Sequence, residues 1–162
     1  MSTYMQINGI DGDVTAKGHE KWIQLDGFNF NVSRNISTEP GRISDRESTR
    51  PAISEVIIHK KADKTFPLLF NEACVGKAKP QVVLHVCQTD DSLKPYMEIT
   101  LSNAIVSHYN IKQDQSSMSN KPEEVIGLSF DKIEVRYTPY DNTNQAQSPV
   151  SGAYDLKQAV SA

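Results

Sequence analysis

The sequence predicts a mainly β domain whose sheet curls toward a barrel, flanked by one α-helix and carrying one long extended loop. Three observations predict it. Apolar residues make up 38% of the 162 and fall in short runs that alternate with polar residues, separated by turn residues; this is how strands with one wet face read. Only one stretch carries a helical period. The last long apolar signal changes parity midway, which a straight strand cannot do.

Tyr4 to Ile7 reads as the first strand, and Asn8-Gly9 and Asp11-Gly12 as turns. Trp22 to Leu25 gives a second strand with Ile23 and Leu25 on one face. FNFNV follows directly, setting Phe28, Phe30 and Val32 against Asn29 and Asn31. Ser33 to Ser54 is polar and long for a loop inside a small domain, so it is expected to be ordered by a neighbouring molecule. Val56 to Lys60 is a β-branched strand, and the pair Lys60 and Lys61 is expected to be a solvated strand end. A helix is predicted over about 64–75: Asp63 or Thr65 caps it, and Pro67 sits in its first turn. Phe66, Leu69, Phe70 and Ala73 form its buried face, and Gly76 ends it in a left-handed conformation.

Gln81 to Cys87 alternates Val82, Leu84 and Val86 against Val83, His85 and Cys87, and Thr89 to Ser92 is a turn. Tyr96 to Leu101 places Met97, Ile99 and Leu101 on one side. A separate strand over Ile105 to Ile111 groups Ile105, Ser107, Tyr109 and Ile111. From Glu124 to Tyr137 the even set Ile126, Leu128 and Phe130 gives way to the odd set Ile133, Val135 and Tyr137. A bulge or bend near Asp131-Lys132 reconciles them, and bends of that kind curl sheets into barrels. The domain is expected to span 1–141. Residues 142–162 form a polar tail, loose unless a partner or a sheet edge holds it.

Seventeen basic and twenty acidic residues leave a formal charge of −3, too balanced for a nucleic-acid binder. No run approaches the ~20 apolar residues of a membrane span, so no membrane insertion is expected. The start MSTYMQINGI lacks the basic and apolar regions of a signal peptide, so export, if it occurs, is expected to use a route that ignores one. Cys74 and Cys87 are expected to be small buried hydrophobes. His19-Glu20 opens like a zinc-protease helix, but position 23 is Ile23. His59, His85 and His108 lie on separate strands without ligand spacing. Carboxylates are scattered, with none in an apolar setting. Without a nucleotide loop or nucleophile elbow, the chain is expected to be no enzyme and to need no cofactor or metal.

YMQINGIDGDVTAKGHEKWIQL, FNF, HKKADKTFPLLFNEACVGK, ITLSNAIVSHY and LSFDKIEVRYTPYD, in this order, resemble the haemolysin-coregulated protein (Hcp) family, the tube protein of bacterial type VI secretion. The resemblance spans nearly all of residues 1 to 141. It implies a compact β-barrel of two curved antiparallel sheets with one flanking helix. It also implies homo-hexameric rings stacked into a hollow tube, a contractile sheath, a VgrG-type spike as partner, and small effector proteins carried in the lumen. The protein would be cytoplasmic before assembly and secreted afterwards. In the family the polar residue between the two aromatics faces the lumen, which here makes Asn29 the candidate effector contact. In the long loop, Arg42, Asp45, Arg46 and Glu47 are candidate ring contacts. Phe66 stands where the family often has Ser or Thr, and Phe28 and Phe30 where it often has Trp. The alternative reading is a monomeric β-barrel that binds a ligand in an internal cavity.

Overall fold

A computed structural model describes residues 1–36, 40–41, 49–90, 92–115 and 118–162. Among them the chain forms β1 (Ser2–Ile7), β2 (Ile23–Leu25), β3 (Gly27–Asn29), β4 (Val32–Ser33), β5 (Ala52–Ile53) and β6 (Val56–Lys61). After the helix α1 (Phe66–Val75) come β7 (Lys79–Cys87), β8 (Pro95–Lys112), β9 (Glu123–Ser129), β10 (Lys132–Tyr137), β11 (Val150–Asp155) and β12 (Val160–Ser161). One antiparallel sheet has the order β12-β11-β10-β8-β7-β1-β2, and a second has β3-β6-β9-β8. The expected class holds: two sheets and a helix, although the larger sheet stays open instead of closing on itself.

The two sheets share β8, and its length explains why. Eighteen residues of straight strand would reach roughly 60 Å, while a chain of this size folds into a body roughly 40 Å across. The strand must therefore bend, and it does so twice. Asn103 takes a left-handed conformation (φ 50°), which Asn tolerates better than most residues. The inward set then jumps from Leu101 to Ala104 and Val106. A bulge between Val106 and His108 jumps it back to Tyr109. This overturns two expectations. Tyr96–Leu101 and Ile105–Ile111 are one strand, and Ile105 and Ile111 point to solvent while Ala104 and Val106 are buried.

The parity change after Phe130 is a crossing between the sheets. β9 pairs with β6 and β8 in the smaller sheet, and β10 pairs with β8 and β11 in the larger. Asp131 fixes the corner. Its amide donates to Ser102 O at 3.0 Å, its carbonyl accepts from Leu156 N at 2.8 Å, and its Oδ2 accepts from Asn103 Nδ2 at 3.2 Å. The residue where one strand changes sheets thus holds the residue where the other bends. Beyond it, β11 and β12 extend the edge of β10, so the late polar stretch is held by a sheet edge.

Between the sheets lie Met5, Ile23, Ile58, Leu69, Leu84, Leu101, Ile126 and Leu128, all fully buried. The helix contributes less than its pattern suggests. Leu69 alone is buried, while Phe66 and Phe70 are exposed and flank the Tyr109 ring with centroids 6.2 and 6.4 Å away. A ten-residue helix laid against β8 covers one narrow stripe, and the phenylalanines fall beside it. Thr65 is the N-cap residue but its side chain caps no amide; Asp63 instead fixes the turn before the helix, its Oδ1 accepting from the Thr65 amide at 2.9 Å and from the Thr65 hydroxyl. Gly76 is extended (φ −68°, ψ 152°), not left-handed. Space explains that glycine, since a Cβ there would sit 2.3 Å from Glu72 O.

Lys60 is the largest departure, because it is wholly buried and not a solvated strand end. Its Nζ donates to Glu124 Oε2 at 2.5 Å, Asp63 Oδ1 at 3.0 Å and Lys61 O at 2.8 Å. Glu124 is equally buried, but its setting is polar, made by the Lys60 ammonium. Its other oxygen accepts from the Tyr109 hydroxyl. Burial pushes the Asp63 carboxyl up, but the Thr65 and Lys60 bonds outweigh it and hold it below its ordinary value. All three ammonium protons and both Glu124 oxygens are satisfied, which is the condition under which buried charge persists. Lys60→Met alone or Glu124→Leu alone is expected to cost about 3–5 kcal/mol in urea denaturation, because each strands one buried charge. The double substitution should recover most of that loss.

Candidate functional site

Alternation along β3 decides what the candidate residue Asn29 faces. Phe28 and Phe30 turn inward and pack against the core, which puts Asn29 on the outer face of the smaller sheet, exposed to solvent. Its Oδ1 accepts from His59 Nε2 at 3.1 Å. Register continues this face across the sheet. Asn29 opposes Ile57, His59 opposes Val125, and Val125 opposes Asn110. The charges here are paired: Lys61 with Glu123 at 2.5 Å and Lys112 with Asp114 at 3.4 Å. The hydrogen bond and charge of Lys61 pull Glu123 below the ordinary carboxylate range. Gly127 forms part of the floor, where a Cβ would meet Glu55 Oε2 at 2.9 Å and His108 Cβ at 3.0 Å. The face is flat, polar, rich in amide and imidazole, and close to neutral in its pairing.

The opposite side of the same aromatics is apolar. Phe28 and Phe30, with Met97 and Ile99 of β8, Val135 and Tyr137 of β10, and Val150 of β11, line an open groove of about 520 Å³. A second hollow of about 270 Å³ shares Phe30, Val135 and Gly152 with it and runs toward Val32, Pro51 and Ile53. The odd set of β10 was expected inside. Ile133 is buried, but Val135 is 39% and Tyr137 48% exposed. The smaller sheet ends before it can cover them, and β11 adds only Val150, itself 69% exposed, as a wall.

The long loop leaves the body as a narrow ribbon. Val32 pairs with Ile53 and Ser33 with Ala52, and Arg34 Nε donates to Thr49 O at 2.9 Å. Arg42, Asp45, Arg46 and Glu47 lie outside the described residues.

The nucleophile and metal candidates separate. Cys74 is exposed near the end of α1 and not buried as expected, because the helix turns that side outward. Cys87 is buried, and burial, with Glu98 nearby, pushes its thiol up to about 11. It is therefore a protonated thiol at neutral pH, a poor nucleophile. His59 and His108 share the polar face. His85 instead meets His19, whose Nε2 lies 2.9 Å from His85 Nδ1, beneath Trp22 and Tyr4. Sequence reasoning missed this pair, since position 19 sits in a turn-rich stretch with no period. Among the described residues no group of His, Cys, Asp and Glu is placed to hold a metal ion, and no helix is long and apolar enough to cross a membrane.

Comparison with known proteins agrees with this architecture. A family model described as "Type VI secretion system effector, Hcp" matches residues 4–137. No curated protein matches the sequence. Among solved structures, a type six secretion system protein superposes with a TM-score of 0.92 at 21% identity, covering 99% of each chain. Hcp1 from Salmonella typhimurium gives 0.78 at 18% identity over 99% of this chain and 98% of its own. A type VI secretion system effector from Yersinia pestis gives 0.73 at 21% over 94% and 98%.

The two thiols should differ sharply in a labelling experiment. At pH 8 the native protein is expected to release one equivalent from a chromogenic disulfide reagent, and Cys74→Ser to release none until denaturant is added.

Proposed function

Because the chain belongs to the Hcp family of type VI secretion system effectors, we propose that it is the subunit of a hollow secretion tube and that its role is structural, not catalytic. Six copies close into a ring, rings stack, and a contractile sheath drives the stack out of the cell behind a VgrG-type spike. The protein is made in the cytoplasm and leaves by this machine. Small effectors travel in the lumen against the Asn29 face, and the loop 33–54, with Arg42, Asp45, Arg46 and Glu47 as candidate contacts, reaches a neighbouring copy.

The observation that carries this reading is the open apolar groove between β3, β8, β10 and β11. Soluble monomers rarely leave a contiguous apolar surface uncovered, and such a surface marks a contact. A contact between two different patches of identical copies closes into a ring when its rotation allows. The paired, nearly neutral face around Asn29 supports a lumen that takes cargo without gripping it. The rival reading, a monomer holding a ligand inside a barrel, has less support: the space between the sheets is filled by Ile58, Leu101, Ile126 and Leu128, and the groove lies outside it.

Native mass spectrometry of the purified protein should give a closed ring. Placing two charges in the groove, Val135→Asp with Tyr137→Asp, should yield folded monomers by circular dichroism and sedimentation, with ring formation reduced at least tenfold. Asn29→Trp should leave the ring intact while effector export falls. A strict monomer at high concentration, or rings indifferent to the charged groove, would overturn the assignment.

A further inference from the structure

Between β1 and β2 the chain makes an excursion over the outer face of the larger sheet. The excursion holds itself together: Gly12 N donates to Lys21 O at 2.8 Å, Lys21 N to Val14 O at 2.8 Å, and Trp22 N to His19 O at 3.0 Å. It is fixed to the body differently. Of residues 11 to 22 only Gly12 and His19 are buried, so His19 is the one buried side chain of the whole segment. Its ring stacks on Tyr4 of β1 with centroids 4.8 Å apart and meets the Trp22 ring edge-on at 4.8 Å. Cys87 Sγ of β7 lies 3.7 Å from its Nε2.

The hydrogen bonds define where protons sit. His85 Nε2 lies 3.2 Å from Glu98 Oε1 of β8 and donates there. Its Nδ1 is then the acceptor for His19 Nε2–H at 2.9 Å, which leaves His19 Nδ1 bare, buried and without a hydrogen-bond partner. A further proton has no good place. On His85 Nδ1 it would set two N–H groups face to face. On His19 Nδ1 it would put a charge in a buried site, a desolvation cost that the Lys17 carbonyl and the Glu20 carboxylate only partly offset. The other groups around the pair are the Glu20 carboxylate and the Lys17 carbonyl of the excursion itself and Arg136 of β10, whose Nε lies 3.5 Å from Glu98 and shares that carboxylate.

We propose that the His19–His85 pair is an acid-released latch: both rings stay neutral while the segment from 11 to 22 is docked, and protonation frees that segment from the sheet while the rest of the fold stays intact. The proposal stands on the single chain and does not depend on the ring. The surroundings of both rings favour the neutral form. Burial, reinforced by His19, pushes His85 down to about 4. Burial also lowers His19, despite the opposing Glu20 carboxylate and Lys17 carbonyl. The docked state therefore binds fewer protons than the open one. Its stability is complete above about 6.5, the ordinary histidine value, and is lost as pH falls toward 4. Each histidine that charges only when open raises the opening equilibrium by about tenfold per pH unit in that window.

Trp22 is the sole tryptophan and lies 4.6 Å from the His85 ring, so its fluorescence reports the latch. In the full-length protein we expect a Trp22 transition between pH 6 and 4 while the far-ultraviolet circular dichroism stays native. We expect His19→Phe, which keeps the stacked ring but cannot titrate, to move that midpoint down by at least one pH unit. NMR titration of the wild-type imidazoles needs no variant, and should show both rings neutral at pH 6 and charging together with shifts in the amides of residues 11 to 22. Either ring titrating near 6.5 with the segment unmoved, a fluorescence change that only accompanies loss of the far-ultraviolet signal, or an unchanged midpoint in His19→Phe would overturn the proposal.

Discussion

One buried ion pair sets the frame on which the rest is built. Lys60 and Glu124 are direct partners in the register of β6 and β9, so their contact holds only in that alignment. Slipping one of the two strands by one residue would send its charge to the outer face, turn its isoleucine outward and leave the other charge buried alone. Through Tyr109 the pair also grips β8, and through Asp63 it grips the start of α1. Hydrophobic contacts are tolerant of small shifts, whereas a charge deprived of its partners away from water is not. The pair therefore fixes which way every residue of the smaller sheet points, Asn29 included, since β3 takes its register from β6.

The second constraint is geometric. A strand as long as β8 obliges the domain to have a corner, and the corner is built from two polar residues that hold each other, Asn103 and Asp131. The groove is a product of that corner. Once β10 leaves the smaller sheet at Asp131, its inward side chains outrun their cover, and the apolar surface from Phe30 to Val150 is what remains.

Much of this was legible in the sequence. Period-two alternation located β1, β2, β6, β7 and the even half of the last signal, because those strands are straight and bury one face. The parity break at Asp131-Lys132 was visible for the same reason: it violates a rule that straight strands obey. What could not be read came from residues whose neighbours are far along the chain. Lys60 looks like any surface lysine until Glu124 is placed across from it. His19 looks like a loop residue until His85 is beneath it. Asn103 shows no local sign that it is a bend, and without the bend Ile105 and Ile111 take the wrong face. Of the proposed site, Asn29 was singled out by the family resemblance and set opposite Phe28 and Phe30 by alternation, and the groove was hidden in residues that the pattern assigned to the core.

The groove's last wall comes late in the chain. β11 is translated after every other strand that lines it, so an emerging polypeptide first shows β10 as a bare edge, with unpaired amides and carbonyls beside Val135 and Tyr137. Ribosomes add roughly 5–20 residues per second, so that edge persists for on the order of a second. It is an edge that other strands, including those of a sister chain on the same messenger, could pair with. Closure by β11 therefore does two jobs in one stroke: it retires a sticky margin, and it delays completion of the apolar surface until the body behind it has been made.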